Sequence, residues 1–127
     1  MNYRELLDKA KDVSHNAYVP YSKFKVGACV LTEDGSTFSG CNFENASYGL
    51  TICAERNAIG TAIANGHTKL KAIAIYSPNE DNCVPCGACR QVMTEFLAGN
   101  DLDIITEVNG EAKVYKLSYL MPESFKI

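Results

Sequence analysis

A layered α/β domain with a mixed sheet is predicted by three observations. Apolar residues recur at helical spacing in three separate segments, strand-like runs lie between and after those segments, and two turns carry hairpin signals. The order is α, β-hairpin, α, β, α, β-hairpin, which counts five strands. At 127 residues the chain is long enough to bury a core as one domain spanning 1–127, and it shows no internal repeat or linker.

Asn2 followed by Glu5 forms a capping-box pattern, and Leu6, Leu7, Ala10, Val13 and Ala17 follow at helical spacing until Pro20 ends the first helix. Val26 to Leu31, a turn containing Asp34-Gly35, and Thr37 to Cys41 form the first hairpin. After a loop from Asn42 to Thr51, the Ala- and Ile-rich segment from Cys53 to Ala64 is the second helix, closed by Asn65-Gly66. Lys71 to Tyr76 contains the mostly apolar run AIAIY, of strand length and therefore a buried strand. Beyond a loop with Pro78, Asn79, Asn82 and Pro85, Gly87 to Leu97 is predicted to be the third helix, ending near Gly99-Asn100. Asn109-Gly110, a strong turn dipeptide, joins a strand from Leu102 to Glu107 to one from Val114 to Leu117.

Composition excludes several classes. Hydrophobic residues make up 46% and charged residues 21%, an ordinary globular balance. Net charge is −3 and no basic run occurs, so a nucleic-acid partner is not expected. There is no apolar stretch of bilayer length and no basic-then-apolar leader pattern, so the expectation is a soluble cytoplasmic protein without a membrane partner. Six cysteines in such a setting serve as metal ligands, nucleophiles or small buried hydrophobes rather than disulfide partners.

Two short stretches carry chemistry. TICAERN places Cys53, Glu55 and Arg56 in the first turn of the second helix, and CVPCGAC supplies Cys83, Cys86 and Cys89 at the start of the third. Cys86 and Cys89, three residues apart, can point off one face of a first turn, and both helices follow segments arriving from the sheet. Helix N-termini favour thiolate, the form that binds metal, so the prediction is a zinc ion held by Cys53, Cys86 and Cys89. Cys83 as a fourth ligand would instead close a purely structural site. Glu55 separates the two, since a carboxylate beside the metal can carry protons for water, whereas an isolated first-turn acid would merely complement the helix dipole. Arg56 can donate to the sulfurs and offset the single excess negative charge of three thiolates on Zn²⁺; alone it would be read as a solvated surface charge.

Cys53-Ala54-Glu55 with Pro85-Cys86-Gly87-Ala88-Cys89 resembles the zinc-dependent deaminases with three cysteine ligands and a glutamate acid/base. The stretches from Tyr21 to Ala28, from Gly40 to Gly49 and from Gly87 to Gln91 are similar to the small cytidine deaminases, and the similarity spans nearly the whole chain. That resemblance implies a single three-layer α/β/α domain with a mixed five-stranded sheet and one Zn²⁺ per subunit. It also implies hydrolytic deamination of cytidine and deoxycytidine to uridine and deoxyuridine, in a homotetramer with sites shared between subunits. By the same resemblance Glu55 carries protons from water to ring N3 and then to the leaving amino group. Asn42 and Glu44 hold the ribose 3′-hydroxyl, Phe24 packs against the pyrimidine, and the Ala54 backbone meets the base edge. Tyr48 and Phe125 lie near a neighbouring subunit's site. Asn42 and Glu44 also suit local turn bonds, and an isolated Phe suits a core. The small-residue face of Ala58 and Ala62 near Gly60 suits either close packing between copies or the chain's own core. A polynucleotide or a modified nucleoside antibiotic is the alternative substrate, disfavoured by the acidic balance and by the Asn42 to Asn45 stretch. Cys29 and Cys41 are expected as small buried hydrophobes, and His15 and His67 as capping or surface residues.

Overall fold

The structure, a computed structural model, describes residues 1–127. Five strands, β1 (Gly27–Thr32), β2 (Thr37–Cys41), β3 (Leu70–Tyr76), β4 (Asp103–Val108) and β5 (Glu111–Lys116), form one sheet in the order β2-β1-β3-β4-β5. The β3–β4 pair is parallel and every other pair antiparallel, so the sheet is mixed as expected.

Strand alternation explains the layers, because successive side chains point to opposite faces. Cys29, Leu31, Ala72, Ala74 and Ile105 face helix α1 (Tyr3–Ser14), which buries Leu6, Leu7 and Ala10 against them. Ala28, Val30, Ile73, Ile75 and Ile104 face the other way, onto Ala54, Ala58, Ile59 and Ala62 of α2 (Ala54–Ala64) and Cys89 and Met93 of α3 (Gly87–Met93). Three layers, α/β/α, result. Ala58 and Ala62 are thus fully buried in the chain's own core.

Two glycines record how closely the helices approach. A Cβ on Gly27 would lie 2.0 Å from the Ala10 carbonyl oxygen of α1, and one on Gly40 would lie 2.4 Å from the Ala58 nitrogen of α2. Only Gly lets backbone meet backbone at such spacing.

Local signals account for most of the boundaries. The Glu5 N–H donates to Asn2 Oδ1 at 2.9 Å while the Asn2 amide donates to the Glu5 carboxylate at 3.1 Å, completing the capping box. Helix α1 stops at Ser14 rather than near Ala17, because Asn16 and Ala17 make tighter i→i−3 bonds before Tyr18 N–H turns to the Asn42 carbonyl. Gly66 at φ +89° gives α2 a Schellman end, with His67 N–H bonding to Ala62 O and Gly66 N–H to Ile63 O. Asn109 and Gly110, at φ +51° and +84°, form the tight turn their sequence predicts. Helix α3 is shorter than the predicted 87–97. The chain leaves it after Met93 so that Phe96 and Ala98 can exchange backbone bonds with Leu70 at the start of β3. β5 begins at Glu111 and ends at Lys116, after which Leu117–Leu120 forms a single turn, α4.

Gly27 pairs with both Cys41 and Tyr76. β2 and β3 therefore end at one edge of the sheet, and the segments leading to α2 and α3 leave from that edge together.

Candidate active site

Cys53 is the N-cap of α2 and Cys86 the N-cap of α3, with Cys89 in the first turn of α3 and fully buried. Neither N-cap thiol caps its own helix. The Cys53 and Cys86 sulfurs approach to 3.9 Å, and the Sγ atoms of Cys53, Cys86 and Cys89 all lie within 4.8 Å of one another. All six cysteines are free. Bonds of about 2.3 Å in a tetrahedral arrangement hold two sulfurs about 3.8 Å apart, so this soft donor set fits zinc. Cys83, the fourth ligand of a closed site, does not belong to the group; it is half-buried against the core, where burial, with Glu55 and Glu80 adding, pushes its thiol up to about 12.

Charge is distributed unevenly over the thiols. The bond from Cys89, with the nearby Arg56 guanidinium, lowers Cys53 to about 5, while that same bond and burial push Cys89 up. Arg56 Nη2 donates to Cys53 Sγ at 3.4 Å, the compensating contact expected of it, and its Nε is buried without a partner. Glu55 lies in the first turn of α2 at 5% exposure; burial pushes its carboxyl up to about 7, and the charge of Cys53 adds to the shift. Ala54, beside it, is buried.

The loop residues form a second, adjoining group. Asn42 accepts from Val26 N–H at 2.9 Å and donates to the Phe24 carbonyl at 2.8 Å. Glu44 accepts from the backbone N–H groups of Tyr21 and Ser22, each at 3.1 Å, and from the Ser22 hydroxyl, whose bond holds the carboxyl below its ordinary range. Both therefore brace the segment carrying Phe24, which is half-buried and packs against the core. Tyr48, on a 3-10 turn, is 65% exposed and meets Tyr21 edge-on; Phe125 is 71% exposed. Within one chain these two rings stand at the surface.

Several supporting residues escaped the sequence pattern. Asn57 accepts from Cys41 N–H at 3.0 Å, tying α2 to β2. Ser77 and Asn79 bind the backbone of Lys25, joining the Phe24 segment to the loop that leads to α3. Arg90 donates to the carbonyls of Pro85 and Leu120 at 2.7 and 2.8 Å, and Gln91 to that of Phe125. Asn and Ser near prolines read only as turn formers; their long-range partners have no signature in sequence.

Residues 1–113 match the family model described as the cytidine and deoxycytidylate deaminase zinc-binding region. This chain belongs to that family. Family membership accords with the spacing of the sulfurs, and the three thiols form a group that could hold the zinc the family binds. The cytidine deaminase of Sporosarcina psychrophila is 42% identical to this deaminase family member over 125 residues, covering 98% of this chain and 92% of that protein. That of Halalkalibacterium halodurans is also 42% identical, covering 98% and 95%. Among solved structures, cytidine deaminase from Burkholderia pseudomallei superposes with a TM-score of 0.91 at 43% identity, covering 98% of this chain and all of that one. The Mycobacterium tuberculosis enzyme gives 0.88 at 36%, covering 100% and 99%. The family model stops short of Phe125, so the tail of this deaminase lies outside the matched region.

Proposed function

We propose that the chain, folded as one domain, is a zinc-dependent cytidine deaminase that converts cytidine and deoxycytidine, with water, to uridine and deoxyuridine plus ammonia, as a salvage enzyme of the cytoplasm. The observation that carries this is the meeting of three sulfurs at two helix N-termini with a buried carboxyl, Glu55, two residues from one of them. Zinc held by Cys53, Cys86 and Cys89 supplies Lewis-acid activation of water. Glu55 takes a proton from the attacking water and places it on ring N3, then takes the second proton from the hydroxyl now on C4 and passes it to the C4 amino group, which leaves as ammonia as the C4 carbonyl forms. Arg56, donating to Cys53 Sγ, offsets the excess negative charge of three thiolates.

Substrate is gripped by the adjoining group. The Ala54 backbone meets the base edge, Phe24 covers the ring, and Asn42 and Glu44 take the ribose hydroxyl with the bonding capacity their local contacts leave. Asn42 keeps one N–H, and Glu44 keeps lone pairs beyond its three bonds. An ionised Glu44 accepts from a hydroxyl and repels a phosphate in its place, which favours a free nucleoside over a nucleic acid. No helix is long and apolar enough to cross a membrane, and nothing in the proposed chemistry calls for one. Tyr48 and Phe125, exposed in one chain, complete the sites of neighbouring copies in a homotetramer.

An ultraviolet assay with cytidine tests this. Activity is expected to vanish on removal of the metal and return with zinc. Glu55→Gln is expected to keep one zinc per chain and lower kcat by at least about a hundredfold. Near-normal turnover by that variant overturns the role of Glu55. Sedimentation of the same preparation is expected to report four chains, and a monomer overturns the shared site.

A further inference from the structure

Cys53 and Cys86 are each the N-cap of a helix and Cys89 sits inside α3, but Cys86 is the exposed one of the three, and the segment leading into it, 77–85, contains no helix or strand. Its start is tied by Ser77 and Asn79 to Lys25, and its end by Arg90 to the carbonyl of Pro85. Between them stands Asn82. It adopts φ +51°, a left-handed conformation that Asn tolerates better than most residues. Its backbone N–H donates to the Glu107 carbonyl at 2.9 Å, its Oδ1 accepts from the fully buried Thr106 hydroxyl at 2.8 Å, and its Nδ2 donates to the Tyr115 hydroxyl at 2.9 Å. Stacking on Tyr119, with centroids 6.4 Å apart, steadies the Tyr115 ring. Next to it, Asp81 accepts from Asn109 N–H. The β4–β5 hairpin thus grips the loop at Asp81 and Asn82, the Asn82 amide making its side-chain bonds to the two strands, four residues ahead of an exposed metal ligand.

We infer that Asn82 is a positioning residue for the metal: its amide, held by Thr106 and Tyr115, sets where the Cys86 sulfur meets those of Cys53 and Cys89. This rests on the zinc role of the three thiols given above. Groups bonded directly to metal ligands typically change metal affinity by about 10–100-fold when removed, and Asn82, which acts on the chain leading to Cys86, is expected at the lower end of that range. Thr106 and Tyr115 carry no motif, so the arrangement is visible only once β4 and β5 lie beside the loop.

Asn82→Gly is the informative substitution, because Gly keeps the positive φ while deleting the amide. Zinc release to a chromogenic chelator is expected to be about tenfold faster or more. The sulfur-to-metal absorption of the cobalt(II)-loaded protein is expected to shift, and Tyr115→Phe and Thr106→Val to change both in the same direction, while Thr106→Ser restores parent behaviour. A merely structural Asn82 would lower the melting temperature and leave the cobalt spectrum unchanged. Release within twofold of the parent together with an unchanged spectrum in Asn82→Gly overturns the assignment; should that variant not fold, the same result in Tyr115→Phe and Thr106→Val overturns it. A parent that holds no zinc sinks the metal site itself along with this role. A zinc-tight parent with unaltered variants sinks only the role of Asn82.

Discussion

Cys83 lies three positions before Cys86, yet its sulfur stands apart from the three that gather within 4.8 Å. Its side chain packs half-buried against the core, the ordinary habit of a free cysteine. Cys83→Ser is therefore expected to retain one zinc per chain and parent-like deamination, read by metal analysis and the ultraviolet assay on one sample. Loss of zinc in that variant would make Cys83 a ligand and close the position that water needs. Asn42 and Glu44 teach the complementary lesson. Each makes the local bonds typical of its residue type, and those bonds hold the segment that carries Phe24, the ring proposed to cover the base. A bracing role and a binding role are compatible because neither side chain spends all its donors and acceptors.

At the scale of elements, the site exists because α2 seats its first turn beside that of α3, and Gly40 governs the seating of α2. An added methyl there would meet Ala58 N at 2.4 Å and Asn57 Oδ1 at 2.6 Å, and backbone cannot swing aside as a long side chain can. Gly40→Ala should push α2 outward, costing about 1–3 kcal/mol of stability as overpacking does. Because Cys53 and Glu55 travel with the helix, kcat should fall as well. Urea denaturation and the deamination assay check both, and an unchanged midpoint would mean that the helix is not seated on β2 as described. Elements whose cause is local were legible in sequence: the Asn2 cap, the Asn65-Gly66 end and the Asn109-Gly110 turn each depend on residues within one turn of chain. Cys53, Cys86 and Cys89 were legible too, since helix starts and thiol spacing bring them together. The end of α3 was not, because Leu70, more than twenty residues upstream, draws Phe96 and Ala98 out of the helix. The hold of Asn82 on Thr106 and Tyr115 was hidden for the same reason, being created by strand order rather than by neighbours.

Across the whole molecule, α1 is tied by charge to strand β4 on the face of the sheet it covers. Glu107 on β4 bonds to Arg4 and Lys11 of α1, each at 2.7 Å, and Asp103 accepts from Lys116 and from Tyr3. Burial alone would raise both carboxyls, but bonds from Lys11 and Arg4 to Glu107, and from Lys116 and Tyr3 to Asp103, outweigh it and hold both below their ordinary range. A carboxyl whose pKa is depressed on folding contributes stability above its unfolded value, about 4, and loses it as pH falls through the lower folded value. The part of the urea midpoint that Glu107 and Asp103 supply should therefore hold from pH 7 to about 5 and fall below about 4. Arg4 and Lys11 remain partly exposed, which keeps the contribution near that of a surface network, so Glu107→Gln should cost about 1 kcal/mol at pH 7. That difference should shrink as pH falls below about 4 and the parent's own carboxyl is protonated. A gap that persists undiminished at pH 3 would show that Glu107 stabilises through packing rather than charge. The ties between α1 and β4 would then have to come from Tyr3, Leu6 and Leu7 instead.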